Sequence, residues 1–360
     1  MNVINFKKSK LSSFFSSGLF KLIAKHSILP ATIFTKMQVS KINRSFEAFW
    51  GLSDEQPCLN IIPQKFSTVT LGKPINLWTY YFPTMEEILS LRQHYSISSF
   101  NVHTKDNISL CGMHFKDKRV SLNEGRTLII FGGNGDLYKI GSAAWLFKLL
   151  QKSPVPFHLV LFDHRECGNS QGKAHAKGLI QDGEAVYHYV NKELGVDENH
   201  IDLCGFSLGA AVATLVKARH KATKGCLISN RSFQSLDKAV KGMFSHLFNP
   251  ISNLLSKAAV KITHSSGWIL DPFEAWKTIQ SRKMVICHEE DPVICYTASM
   301  EQALHEENLL KECHHIKLIQ KCHKKTIINH HVEPLSSYND HLGNDVESTI
   351  LQFLLQNASY

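Results

Sequence analysis

From about residue 127 onward the chain alternates short apolar runs with helical patterns, and that alternation limits its fold more than any other feature. The runs are "TLIIFGG" (127–133), "FHLVLFDHR" (157–165), "HIDLCGFS" (200–207), "CLISNRS" (226–232), "KMVICHEED" (283–291) and "HIKLIQK" (315–321). Runs of this kind read as strands buried on both faces. Helical patterns separate them, as in "KIGSAAWLFKLLQK" (139–152) and "LIQDGEAVYHYVNKEL" (179–194), and "DVESTILQFLLQ" (345–356) closes the series. The fold expected is α/β, a mostly parallel sheet with helices on both faces. Ahead of it, "SSFNVHTKDNISLCGMHFKD" (98–117) holds two alternating stretches about Asp106-Asn107, the mark of an antiparallel hairpin.

Two segments stand outside this rhythm. Residues 1–95 read as an N-terminal helical extension with a Pro-containing linker at "PQKFSTVTLGKP", leaving 96–360 as the α/β domain. Between "CLISNRS" and "KMVICHEED", residues 231–280 hold no good strand. They read as two or three helices, "LDKAVKGMFSHLF", "ISNLLSKAAVKI" and "PFEAWKTI", expected to lie over the sheet as a cap.

Composition removes several function classes. Hydrophobic content of 43% and charged content of 20% describe a chain with a full core. The net charge of +9 comes without a run of five or six like charges, and neither zinc-finger spacing nor an aromatic-rich RNA-binding signature accompanies it. That argues against a nucleic-acid reader; solubility, or loose attraction to an anionic membrane surface, fits better. The nine cysteines are odd in number and scattered, which is thiol usage for a reducing compartment. Cys204 and Cys287 fall in apolar strands and read as small buried hydrophobes. In "ECHHIKLIQKCHKK" the residues Cys313, His314, His315, Cys322 and His323 lack the C-x-x-C pairs of structural zinc sites, and the stretch reads as a strand. No metal and no cofactor is expected.

No uncharged apolar run is long enough to span a bilayer. The first residues have a basic start and a short apolar middle, but Lys21 and Lys25 interrupt it and no clean small-x-small cleavage site follows. The expectation is therefore no signal peptide, and a protein that is cytoplasmic or exported into another cell's cytoplasm. Phe14, Phe15, Leu19 and Leu22 recur at helical spacing, a face expected to pack on the protein itself, with peripheral membrane contact as the lesser reading.

The chemistry concentrates at the ends of the apolar runs. Gly205-Phe206-Ser207-Leu208-Gly209 follows one such run and opens a helical pattern. Small residues at both flanks suit a tight turn that brings backbone close to its neighbours, and a strained turn holds the serine hydroxyl out. Asp291, in "HEEDPVI", sits at a strand end before Pro292, where a carboxylate could orient a histidine. Glu289 and Glu290 are its alternatives if the turn is shifted.

With these motifs in this order, the chain from about residue 97 onward resembles the α/β-hydrolase superfamily of serine esterases, lipases and thioesterases. "FGGNGD" looks like the glycine-rich oxyanion loop, "FDHRECGNSQG" like the turn after the fourth strand, "GFSLGA" like the nucleophile elbow and "HEEDPVI" like the acid turn. A weaker likeness is to effector-type hydrolases of intracellular bacteria. The resemblance implies Ser207 as nucleophile, with the backbone amides of Leu208 and Asn134 as the oxyanion hole. Gly132 stands where relatives often carry histidine, and Arg165 and Ser170 would brace loops near the site.

The general base should follow Asp291 in the chain, and His314, His315, His323, His330, His331 and His341 all do. His341, just before the final helix, is the residue expected, with His331 second and His330 also open. Trp268 and Phe273 could line a pocket mouth or lie in the core. Met243, Phe244, Leu247 and Phe248 could line an acyl groove or be buried against the sheet. The leading expectation is a cofactor-free serine hydrolase of an ester or thioester, its substrate a small-molecule or lipid-like acyl compound. The alternatives are a non-catalytic hydrolase-like binding protein and an acyltransferase using the same residues.

Overall fold

The computed structural model describes residues 66–70, 73–78, 85–133, 144–242, 249–321 and 329–356. Two short strands come first, β1 (Phe66–Thr70) and β2 (Lys73–Trp78), paired antiparallel. This corrects the helical reading of the N-terminal segment at these residues. The β-branched run Thr68-Val69-Thr70 favours pleated backbone over a helix. Helix α1 (Met85–His94) then leads directly into β3 (Tyr95–His103). Residues 1–65 lie outside the described residues.

The main sheet has eight strands in the order β10-β9-β8-β7-β5-β6-β4-β3. These are β3, β4 (Ser109–Asp117), β5 (Arg126–Phe131), β6 (Phe157–Phe162), β7 (Ile201–Phe206), β8 (Leu227–Asn230), β9 (Lys283–Cys287) and β10 (His314–Lys317). Strands β3 and β4 form the expected antiparallel hairpin, β4 pairs antiparallel with β6, and every other pairing is parallel. The strands β5, β6, β8 and β9 are buried along their whole length, whereas edge strand β3 alternates. That is the burial pattern of a sheet covered on both faces, and it explains why these sequences are apolar without alternation.

Helices α2 (Ala144–Gln151), α3 (Ala176–His188) and α4 (Leu208–Arg219) link the central strands. Because β6 lies on one side of β5 and β7 on the other, the connections leaving β5 and β7 run in opposite directions. A crevice therefore opens beyond the carboxyl ends of these two strands, where open α/β sheets place their sites. Helix α4 can lie close to the sheet because Gly209, Ala210, Ala211 and Ala213 keep its buried face small.

Between β8 and β9 the chain forms α5 (Leu236–Gly242), α6 (Asn249–Ser265) and α7 (Pro272–Thr278). Helices α5 and α6 pack on each other, while α7 packs on α4. So α7 belongs to the layer beside the sheet, and among the described residues the α5–α6 pair is what remains of the expected cap. Trp268 and Phe273 are buried in the core. Met243, Phe244, Leu247 and Phe248 lie outside the described residues. After β9 come α8 (Met300–Glu306), the small antiparallel pair β11 (Ile319–Gln320) and β12 (Tyr338–Asn339), and the last helix α9 (Val346–Leu355). Among the described residues no helix is long and apolar enough to cross a membrane.

Candidate active site

Ser207 occupies the one-residue junction between β7 and α4 with φ 53° and ψ −119°. Few non-glycine residues adopt such backbone, and it persists only where the surroundings over-determine it. Here they do. The Ser207 amide donates to the Asn230 carbonyl at 2.9 Å, the Ser207 carbonyl accepts from the Ala210 amide at 3.1 Å and from the Ser232 hydroxyl at 3.0 Å. The flanking glycines are required by close approach: a Cβ at Gly205 would collide with the Ala210 backbone, and one at Gly209 with the carbonyl oxygens of Phe131 and Gly132. The second collision also shows that the loop after β5 abuts the elbow.

Ser207 Oγ lies 2.9 Å from His331 Nε2, and His331 Nδ1 lies 2.7 Å from Asp291 Oδ2. All three residues are buried. Burial alone would push the Asp291 carboxyl up, but the adjoining His331 and the amides of Val293 and Ile294 hold it below the ordinary carboxylate range. Those amides donate to Asp291 Oδ1 at 2.8 and 2.9 Å. An ionised carboxylate only accepts, so His331 Nδ1 carries the proton and Nε2 is left to accept from the serine hydroxyl. A serine, an imidazole and a carboxylate in one hydrogen-bonded line can pass the serine proton to the imidazole and stabilise the imidazolium.

The histidine expected from the sequence is not the one in this position. His341 is exposed, stacks on His315 with ring centroids 5.1 Å apart, and its Nδ1 faces the Lys317 amide at 3.5 Å. The reason is the β11–β12 pair, which registers Ile319 with Asn339 and Gln320 with Tyr338. That pairing closes a loop which carries His331 towards the elbow and leaves His341 beyond the closure, on the β10 edge. His330 instead stacks on His288 at 3.7 Å, with its Nδ1 3.0 Å from the Tyr338 hydroxyl.

Sequence reasoning missed two supports of His331. The Arg231 guanidinium, buried, donates to the His331 carbonyl at 2.6 Å and lies over the rings of Tyr338 and Phe206. Asn329 accepts from the His331 amide through Oδ1 at 3.0 Å. Arg231 also has φ 51°, a signal no residue type advertises.

Arg165 and Ser170 sit where the bracing reading put them. Arg165 pairs with Asp182 and Asp106 at 2.8 Å each, and the Ser170 hydroxyl donates to the Asp163 carbonyl at 2.7 Å. Leu208 begins α4, whose first amides have no intrahelical partner. Asn134 lies outside the described residues. Of the zinc-like stretch, His314 and His315 lie in β10 and Cys313 just before it; Cys322 and His323 lie outside the described residues.

No family model matches the chain. It is 27% identical over 221 residues to an uncharacterized protein of Acanthamoeba polyphaga mimivirus, covering 54% of this chain and 72% of that protein. It is 28% identical over 153 residues to the lysophosphatidylserine lipase ABHD12 of Rattus norvegicus, covering 41% of this chain and 37% of the lipase. Among solved structures, an alpha-beta hydrolase from Vibrio vulnificus superposes with a TM-score of 0.52 at 15% identity, over 72% of this chain and 81% of that one. The chain has the α/β-hydrolase fold.

Proposed function

We propose that the protein is a serine hydrolase that cleaves a carboxylic ester or thioester through an acyl-enzyme on Ser207. The observation that carries this reading is the hydrogen-bonded line from Ser207 through His331 to Asp291, at 2.9 and 2.7 Å. His331 takes the serine proton as Oγ attacks the acyl carbonyl, and Asp291 steadies the imidazolium. The Leu208 amide, in the first turn of α4, holds the oxyanion; one such donor contributes about 3–4 kcal/mol to the transition state. His331 then delivers its proton to the leaving group, activates water, and the acyl-enzyme is cleaved.

A lipid-like acyl substrate is supported by three features. The relative named a lysophosphatidylserine lipase acts on an acylated, anionic lipid. The net charge of +9 favours an anionic headgroup or surface. Leu254 and Ile269, on and just after α6, are exposed large hydrophobics.

The test is hydrolysis, followed by product analysis, of lysophospholipids differing in headgroup and acyl length and of acyl thioesters. An acylated Ser207 peptide trapped by acid quench, and absent from Ser207→Ala, is expected. Turnover that survives Ser207→Ala would sink the reading. Adding an acceptor alcohol separates hydrolysis from transfer, since a transferase would form a new ester in place of free acid.

A further inference from the structure

Cys287, Glu301 and His315 meet at the β10 edge of the sheet, away from the serine. Cys287 ends β9, His315 lies in the adjacent β10, and Glu301 is the second residue of α8. One ligand atom from each, Sγ, Oε and an imidazole nitrogen, lies within 4.8 Å of the others. Cys287 Sγ is 3.8 Å from His315 Nε2, and Nε2 is 3.3 Å from Glu301 Oε1.

Both distances are long for bonds between these groups. They do match the edges of a tetrahedral metal site. Zinc bonds of about 2.3 Å to sulfur and about 2.0–2.2 Å to nitrogen and oxygen place a sulfur and a nitrogen ligand about 3.6 Å apart, and a nitrogen and an oxygen about 3.4 Å apart.

The burial points the same way. Cys287 and Glu301 are both more than nine-tenths buried, and a buried carboxylate is costly unless a cation or donors meet it. Glu301 faces His315, the Tyr296 hydroxyl and the Cys287 thiol, while Lys317 is paired with Glu289 at 2.5 Å.

We propose that Cys287, Glu301 and His315 form a binding site for a borderline-soft divalent cation of the Zn²⁺ class. One thiolate, one imidazole and one carboxylate are a donor set suited to such an ion, and three protein ligands leave a fourth position for water. The ligand is the thiolate, so on binding the S–H bond breaks, the S–metal bond forms, and the thiol proton passes to solvent.

The ion would tie together β9, β10 and α8 four residues before Asp291, bracing the strand end from which the Asp291 turn departs. The site is independent of the serine chemistry. A second cluster, Glu184, His188 and His220, offers no sulfur, and Arg219 already faces its carboxylate at 3.4 Å.

The test is titration of the full-length, chelator-treated protein with Co²⁺, followed by the near-ultraviolet thiolate-to-cobalt charge-transfer band. The expected result is a band saturating at one equivalent and displaced by Zn²⁺, with one proton released per ion. The band should be absent in Cys287→Ser, weakened in His315→Gln and Glu301→Gln, and retained in Ser207→Ala. Circular dichroism establishes that each variant is folded. A folded wild type that yields no band, or a band that persists undiminished in Cys287→Ser, would overturn the proposal.

Discussion

The elbow that carries Ser207 and the loop that carries His331 solve the same positioning problem by different physics. The elbow is almost self-contained: two glycines, a strained junction and hydrogen bonds to neighbouring strand ends fix the serine at the end of β7. The described residues of the loop show no such local geometry. Its histidine is held by Arg231 from the end of β8, by Asn329, by Asp291 from beyond β9, and by the β11–β12 closure. Ser207 is thus held by backbone geometry, whereas His331 is held by long-range side chains.

The largest effect that would break this comparison is loss of the reacting groups themselves. Ser207→Ala should lower kcat by roughly 10⁴–10⁶-fold while leaving the fold intact by circular dichroism. His331→Ala should approach the same loss, with His341→Ala retaining wild-type turnover in the same ester assay. If the two histidine variants exchanged these phenotypes, the loop geometry described here would be wrong.

Arg231 sharpens the comparison, because its guanidinium hydrogen-bonds the loop of His331 and meets the elbow only as a cation over the Phe206 ring. Arg231→Gln should lower kcat by up to roughly 100-fold, as expected when a base is misplaced by about 1 Å, with KM nearly unchanged. Arg231→Lys, which keeps a donor for the His331 carbonyl, should recover part of it. A change confined to KM would place Arg231 in substrate binding instead.

At the elbow, the corresponding change is packing. Gly209→Ala forces a methyl group against the Phe131 and Gly132 carbonyls and should destabilise the protein by about 1–3 kcal/mol, read as a lowered midpoint in urea unfolding.

The smallest effect is in pH dependence. Burial, with His330 and Arg231 nearby, holds the His288 imidazole down at about 4. In the unfolded chain it titrates near ~6.5. Between these values the unfolded state binds more protons, so stability rises with pH across the window and is lost as pH falls from ~6.5 towards 4. His288→Gln should flatten that slope in chemical denaturation curves measured between these limits. An unchanged slope would mean that other groups, His114 first among them, carry it.

The same contrast decides what could be read from the sequence. Ser207 was legible because a strand, a glycine-flanked serine and a helix are contiguous, and local sterics dictate the turn. The parallel sheet was legible because fully buried strands leave unbroken apolar runs. The strands at 66–70 and 73–78 do not stand out from a helical and linker reading, since a short two-stranded pair has little apolar pattern to announce it. The place before the last helix points to His341, but the position of His331 depends on two-residue strands at 319–320 and 338–339 that no periodicity reveals. Arg231 left no trace at all, because its role rests on a bond to a carbonyl 100 positions away. Helices within 231–280 are legible from their periodicity, but only their partners in space separate α7, beside α4, from the α5–α6 pair.

The measurement that tests the central claim most directly is active-site labelling with a fluorophosphonate probe, comparing wild type with Ser207→Ala, His331→Ala and His341→Ala. The account predicts labelling of the wild type and of His341→Ala, and none of Ser207→Ala or His331→Ala. Full labelling of folded His331→Ala, or none of the folded wild type, would contradict it.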